Sequence, residues 1–133
     1  MDIDSAQPGT SLFHRSLTIS WEAVAAYLTA VEDNGAVYAA EGIAPPLAVA
    51  ALVMAQALDA IDLPAGTVHT SQEVEFTAPI PTGAAIACSA TVAQNSVRRG
   101  TRFVALDIVA EADGRCAVAG RVSLAIPEPE AAG

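Results

Sequence analysis

The feature that most constrains the fold is a long apolar segment in the middle of the chain, Ile43–Ile61. Two prolines near its start, Pro45 and Pro46, predict the first turn of a helix, because proline fixes φ and lacks the N–H that a first turn would leave unpaired. Only Gln56 and Asp59 are polar in the whole segment. A helix that is apolar on every side must be surrounded by other elements. A helix over Leu47–Ile61 would be about 23 Å long, which is too short to span a membrane comfortably.

The second half of the chain supplies strands that could surround this helix. After Gly66 the apolar residues recur with a period of two, which is typical of β-strands with one buried face. Asp113-Gly114 predicts a two-residue hairpin turn, and Gly120 predicts a bulge or a close approach of two backbones. The predicted core faces are Val68, Thr70, Gln72, Val74 and Phe76; Ile86, Cys88, Ala90 and Val92; Val104, Leu106, Ile108 and Ala110; and Cys116, Val118, Val122, Leu124 and Ile126.

Two further elements are predicted before the central helix. Leu17–Ile19 can form a short strand, and Ser20 is placed to cap a helix that begins at Trp21 and ends at Glu32–Gly35. The order strand, helix, buried helix and then a run of long strands predicts an α+β fold. In that fold an antiparallel sheet packs one face on the central helix.

Length and composition limit the classes of function. We expect the 133 residues to form a flexible N-terminus (1–16), one domain (17–127) and a C-terminal tail (128–133). Apolar residues make up 53% of the chain, so we expect a partner subunit to cover part of them. The net charge of −9 argues against a nucleic-acid partner. Cys88 and Cys116 are not spaced like metal ligands, and we see no signal peptide in the sequence. We therefore expect a cytoplasmic protein in which both cysteines are reduced thiols in the core.

Five segments carry a more specific pattern, which includes Ala-Pro-Pro before the buried helix and His-x-x-Gln-Glu at the start of the next strand. They are Trp21–Tyr27, Val31–Tyr38, Ile43–Pro46, His69–Phe76 and Pro79–Gly83. This pattern resembles the MaoC-like hydratases and dehydratases, above all the half-domains related to fatty-acid-synthase dehydratases. The resemblance implies the hotdog fold, a single domain in which a curled antiparallel sheet wraps one long apolar central helix.

The resemblance also implies an activity. The family adds water across the double bond of an enoyl thioester, or reverses that reaction, on coenzyme A or acyl carrier protein, and it needs no other cofactor and no metal. Backbone N–H groups at the start of the central helix polarise the thioester carbonyl. In this chain Leu47 and Ala48 can offer such groups, whereas the two prolines before them cannot.

The catalytic motif of the family is only partly present. The family places an Asp and a His in the pattern Asp-x-Asn-Pro-x-His just before the central helix. Here Asn34 matches, the Asp position falls on Asp33 or Glu32, and the His position holds Tyr38 or Val37. Because the histidine is missing, we expect this chain to be the non-catalytic half of a dimer or higher oligomer that also contains a catalytic MaoC-like subunit. As alternatives to catalytic roles, Asp33 could belong to a solvated loop, and Tyr38 could form a wall of the acyl channel or a subunit contact.

Five other residues are candidates for substrate binding. Arg98, Arg99 and Arg102 could hold the phosphates of coenzyme A or of a carrier-protein arm, or could simply form a basic hairpin. Gln72 is predicted on the apolar face, where its amide needs a hydrogen-bond partner. His69 is predicted on the opposite, polar face, as an interface residue or as a group that reaches a neighbouring subunit's site.

Two other functions fit the same pattern. A hotdog acyl-CoA thioesterase would use a carboxylate on the central helix or in the loop before it. Asp59 lies at the far end of that helix, so Asp33 would have to serve. A non-enzymatic scaffold would use the apolar channel only to bind acyl-CoA.

Overall fold

The computed structural model describes residues 3–30, 42–61 and 63–128, which form a five-stranded antiparallel sheet with one helix packed on its inner face. A short 3₁₀ turn (Ile3–Ser5) is followed by β1 (Ser11–Thr18), α1 (Trp21–Ala30), α2 (Pro46–Asp59), β2 (Val68–Phe76), β3 (Ala85–Arg98), β4 (Thr101–Ala112) and β5 (Arg115–Pro127). The strands lie in the order β1-β3-β4-β5-β2. The predicted fold class is confirmed. Among the residues described, no helix is long and apolar enough to cross a membrane.

Helix α2 begins where the two prolines predict it. Pro45 is the N-cap residue and Pro46 occupies the first helical position. One side of the helix is buried against the sheet, through Val49, Ala50, Val53 and Ala57. The opposite side is uncovered by the described part of the chain, because Leu47 is 55% exposed and Ala51 and Ala55 are exposed too. The prediction that α2 is enclosed on every side is therefore wrong for a single protomer.

Helix α1 is capped as predicted, since the Ala23 N–H donates to the Ser20 hydroxyl over 3.1 Å. Val24 and Leu28 are buried, whereas Trp21 is 45% exposed. The helix thus contributes one narrow apolar stripe to the core.

The two long central strands follow the predicted alternation. Their buried residues are Ile86, Cys88, Ala90 and Val92 on β3 and Val104, Leu106, Ile108 and Ala110 on β4. Positive φ angles at Asp113 and Gly114 confirm the predicted two-residue turn. Gly120 is a close approach, because a Cβ there would lie 2.7 Å from the carbonyl oxygen of Glu73.

Strand β5 departs from the predicted pattern at its start. Cys116 pairs with Glu111, and Val118 pairs with Ala110, so Ala117 is an extra residue in β5. An extra residue moves the following side chains to the other face. Ala117 is accordingly buried and Cys116 is exposed, which corrects the prediction that Cys116 is a core thiol.

The first strand begins earlier than predicted. Pairing of β1 with β3 starts at Ser11 rather than at Leu17. Ile3 and Ala6, inside the segment expected to be flexible, are buried in the core cluster. The apolar side chain of Ile3 has no periodic context in the sequence, which is why the pattern did not reveal it.

An internal clasp holds this N-terminal segment against the sheet. The Asn95 side-chain amide donates to the carbonyl oxygens of Ile3 and Ala6, each over 2.7 Å. Arg102 donates to the Asn95 side-chain oxygen over 2.7 Å and also forms ion pairs with Asp4 and Glu128. Asn95 therefore holds the N-terminal segment directly, and Arg102 links this contact to Glu128 after β5.

We expect Asn95→Ala to lower the free energy of unfolding by about 1–3 kcal/mol, because the carbonyl groups of Ile3 and Ala6 each lose the hydrogen bond from the amide. Urea unfolding followed by circular dichroism measures this change. Gln94→Ala is the matched control, since Gln94 is the exposed neighbour on the same strand and a surface change is expected to cost no more than about 0.5 kcal/mol. Equal destabilisation by the two variants would contradict the clasp.

Candidate functional site

The first turn of α2 offers an unpaired backbone donor. The Ala48 N–H donates to the carbonyl of Pro45 over 3.0 Å. Prolines have no N–H to donate, and no acceptor for the Leu47 N–H lies among the described residues. Of the two donors predicted for a substrate carbonyl, Leu47 therefore has no acceptor within residues 3–30, 42–61 and 63–128, whereas Ala48 is engaged. The positive end of the helix dipole adds to the attraction for developing negative charge at this place.

An apolar pocket of 230 Å³ lies beside this turn, between α1 and α2. Its lining residues are Ile19, Ala23, Val24, Tyr27, Ala48, Ala51 and Leu52. The small side chains Ala48 and Ala51 lie three residues apart on α2, so they share one side of the helix and leave room there. Concave apolar sites that contain few polar groups are typical of ligand pockets. Among the described lining residues, Tyr27, which the sequence analysis did not single out, is the one with a polar side chain.

The predicted catalytic motif cannot be placed relative to this pocket. Asp33, Asn34 and Tyr38 lie outside the described residues. Their roles stay predictions.

Strand β2 turns His69 to the face opposite to the one predicted. His69 pairs with Leu124 of β5, but Ser71 pairs with Ser123, so Thr70 is an extra residue. Directly paired residues share a face of the sheet, and Leu124 is buried on the inner face. His69 therefore lies on the inner face, and the prediction that it lies on the polar face is wrong because a bulge breaks the alternation.

Gln72 lies on the inner face as predicted, since it pairs with the buried Val122. The side chain of Gln72 is, however, more exposed than the sequence predicted. Strand β2 is the edge strand of the sheet, and α2 packs across the other four strands. His69, Gln72 and Phe76 are all exposed on this uncovered inner face.

The three candidate arginines lie far from the pocket within one protomer. Arg98 and Arg99 lie at one end of β3, about 40 Å along the strand from Ala85 at the other end. The Arg98 guanidinium lies 5.3 Å from the centre of the Phe103 ring, and Arg99 forms the turn with φ of 52°. Arg102, the third arginine, is 14% exposed and belongs to the N-terminal clasp. Phosphate binding by these residues stays a prediction and requires a second protomer if it serves this pocket.

A polar contact on the inner face was missed by the sequence analysis. Arg15 pairs with the buried Cys88, which places its side chain on the helix side of β1, where it donates to Gln56 of α2. This contact explains why an otherwise apolar helix contains Gln56. Burial raises the pKa of the Cys88 thiol above its ordinary value of 9.0, although the charge of Arg15 opposes part of the shift.

The raised thiol pKa predicts a pH dependence of stability. Above about pH 9 the unfolded thiol ionises, while the folded thiol stays protonated until the pH reaches its higher pKa, so folding becomes less favourable as pH rises. We expect the difference in free energy of unfolding between wild type and Cys88→Ala to decrease from pH 8 to pH 10.5. Urea unfolding at each pH measures it. A difference that stays constant over this range would contradict the burial of an un-ionised thiol.

No group of three or more His, Cys, Asp or Glu side chains within residues 3–30, 42–61 and 63–128 could hold a metal ion.

No protein-family model matches the sequence, and no curated protein matches it. Its fold, in contrast, is similar to that of solved structures. The (R)-hydratase from A. caviae involved in PHA biosynthesis is 22% identical, with a TM-score of 0.71 over 92% of this chain and 98% of the hydratase. The C-terminally truncated HadBC complex, a 3R-hydroxyacyl-ACP dehydratase from Mycobacterium tuberculosis, is 17% identical, with a TM-score of 0.69 over 92% of this chain and 98% of that chain.

A hot-dog-like protein from Thermanaerovibrio acidaminovorans is 19% identical, with a TM-score of 0.66 over 92% of this chain and 84% of that chain. The chain therefore has the hotdog fold. The predicted likeness to hotdog hydratases and dehydratases is confirmed at the level of the fold.

Proposed function

We propose that this hotdog chain is an acyl-thioester-binding subunit of a MaoC-like enoyl-CoA hydratase or 3-hydroxyacyl thioester dehydratase. The observation that carries the proposal is the Leu47 N–H at the first turn of α2, which has no acceptor in the described part of the chain and is next to Ala48 in the wall of an apolar pocket. A thioester has a polar carbonyl attached to an apolar chain, so its two parts match the two parts of this site. Hydratases and dehydratases among the structures of similar fold support the same substrate class.

The donor at Leu47 would act on the reaction as well as on binding. When water adds to an enoyl thioester, or leaves a 3-hydroxyacyl thioester, negative charge develops on the carbonyl oxygen. A fixed N–H at the positive end of a helix stabilises that charge more than it stabilises the neutral carbonyl. Differential stabilisation of this kind raises the rate of the chemical step.

A single protomer lacks a complete acid–base set around the pocket in the part that the structure describes. Among the described residues, the lining side chains are apolar apart from the phenol of Tyr27. The family histidine is missing from the motif. We therefore propose that a histidine reaches the site from a second subunit, an arrangement supported by the occurrence of a dehydratase complex among the similar structures.

The thioesterase alternative now depends on a single residue. Asp59 is the last residue of α2, about 18 Å along the helix from Leu47. A carboxylate at that distance cannot activate water at the carbonyl. Only Asp33 could do so, and loss of thioester hydrolysis in Asp33→Asn would be the evidence for it.

Filling the pocket should remove binding and turnover together. We expect Ala51→Phe to weaken the binding of a short acyl-CoA at least about tenfold, equivalent to about 1.4 kcal/mol, because the new ring occupies the space of the acyl chain. Isothermal titration calorimetry measures the affinity, and loss of the conjugated enoyl absorbance measures hydration by the oligomeric protein.

Ala55→Phe is the matched control for this test. Ala55 lies one turn further along the same exposed side of α2 but does not line the pocket. It should change neither affinity nor turnover. Equal weakening by both variants, or unchanged binding in Ala51→Phe, would refute the pocket as the acyl site.

A further inference from the structure

We propose that the outer face of the sheet, which points away from α2, binds a purine nucleoside monophosphate. The site is a concave region of 470 Å³, which we call the outer trough, lined among others by Gln94, Ser96, Arg98, Phe103, Ala105 and Ser123. Pockets for small molecules commonly have volumes of about 300–1,000 Å³. The inference goes beyond the proposed function and does not depend on it, because the sheet separates this trough from the pocket between α1 and α2.

The register of the strands places the trough on the outer face. Ala105 of β4 pairs with Gln94 of β3 and with Ser123 of β5, so these three side chains share one face of the sheet. The neighbours of Ala105 along β4, Val104 and Leu106, belong to the hydrophobic core cluster, whereas Ala105 does not. The side chains that pair with Ala105 therefore point away from α2.

Two bulges and one small side chain shape the trough. Ala93 is an extra residue in β3, as Thr70 is in β2, and both lie beside the trough at the level of Ala105. A bulge bends the strand that carries it, and bulges are common next to binding sites. Ala105 is only 4% exposed although it lies on the outer face. Its methyl group therefore forms the floor, and the longer side chains around it form the walls.

Arg98 supplies a cation at one end of the trough. Its guanidinium lies 5.3 Å from the centre of the Phe103 ring. A guanidinium stacked on a ring keeps its N–H groups in its own plane, where they can donate to a phosphate. No carboxylate within residues 3–30, 42–61 and 63–128 forms an ion pair with Arg98, whereas Arg102 binds both Asp4 and Glu128. The positive charge of Arg98 is therefore available for an anionic ligand.

Gln94 supplies a hydrogen-bonding group at the other end of the trough. Residues 94 and 98 are four positions apart on β3, so they share a face of the sheet and lie about 13 Å apart. A nucleoside monophosphate spans a similar distance between the edge of its base and its phosphate. A carboxamide presents a donor beside an acceptor, which matches N7 and the N6 amino group of adenine. The guanine edge offers two acceptors, N7 and O6, and matches it less well.

Hydroxyl groups lie between the two ends of the trough. Ser96 lies between Gln94 and Arg98 on β3, and Ser123 lies two strands away on β5, about 10 Å across the sheet. The Thr70 hydroxyl donates to the carbonyl oxygen of Ser123 over 3.2 Å, and its oxygen can still accept. Hydroxyl side chains both donate and accept, so they match the hydroxyl groups of a ribose.

The charge of the chain and the position of the trough limit the ligand further. A net charge of −9 opposes a polynucleotide, because a long phosphate backbone needs a basic face. One arginine in the trough matches a single phosphate group instead. The nucleotide end of coenzyme A has the same chemistry, but a coenzyme A whose acyl chain fills the pocket beside α2 would have to reach around the sheet. The proposed ligand is therefore a free nucleotide, with AMP as the probe.

Titration with AMP and GMP tests the site. Isothermal titration calorimetry at low salt should give AMP a Kd below about 1 mM, with GMP at least about fivefold weaker. Arg98→Gln should weaken both nucleotides about tenfold or more, because it removes a charged hydrogen-bond donor. Gln94→Ala should abolish the preference for AMP, because it removes the carboxamide that distinguishes the two bases. No binding of AMP, or equal affinity for AMP and GMP, overturns the proposal.

Arg99→Gln is the matched control for Arg98→Gln. Arg99 has the same charge and is the next residue along the chain, but it forms the turn and does not line the trough. A charge in solvent beside the site is largely screened, so this variant should change the affinity for AMP by less than about threefold. Equal weakening by the two variants would show that AMP responds only to the net charge, and it would overturn the site.

A second titration separates a free nucleotide from the nucleotide end of coenzyme A. AMP should bind with unchanged affinity to Ala51→Phe, whose acyl pocket is filled, and to wild type saturated with a short acyl-CoA. Loss of AMP binding in the saturated protein would assign the trough to coenzyme A and overturn a separate nucleotide site. AMP binding by a protein that binds no acyl-CoA would support the trough and refute the proposed function alone.

Discussion

The burial of one side of α2 on the inner face of the sheet is the interaction on which the rest of the structure depends. Val49 and Val53 are each 1% exposed, and each contributes about 1.5–3 kcal/mol relative to an exposed position. This contact fixes where the first turn of α2 lies, and with it the direction of the Leu47 N–H. It also leaves the opposite side of the helix open, which creates the space between α1 and α2. The same packing therefore produces both the stability and the pocket.

Most of the fold could be predicted from the sequence because burial repeats with a regular period. The paired prolines located the start of α2, and alternation located the inner faces of β3 and β4. The errors occur where one extra residue shifts that alternation, at Thr70 in β2 and at Ala117 in β5. A bulge leaves no mark in a pattern of apolar and polar residues, since it depends on which strand lies alongside. The faces of His69 and Cys116 could not be predicted for this reason.

The site was less predictable than the fold because it depends on distances between elements rather than on periods. That the Leu47 N–H has no acceptor among the described residues could be predicted from the position of the prolines. The arginines at the β3–β4 turn were grouped by their closeness in sequence, yet Arg102 belongs to a clasp with Asp4 and Asn95, which are distant in sequence. Tyr27 was missed because the wall of a pocket between two helices produces no periodic pattern in the sequence of either helix.

The missing family histidine has a different meaning once the bulge in β2 is known. From the sequence, Tyr38 in the histidine position predicts a subunit that binds substrate and leaves the chemistry to a catalytic partner. The structure places the chain's second histidine, His69, on the inner face of β2, which is an edge strand of the described sheet, and its side chain is exposed there. The bulge thus turns toward the helix side an imidazole that regular alternation assigned to the outer face. The absence of a histidine from the motif therefore does not leave the inner face of the sheet without one.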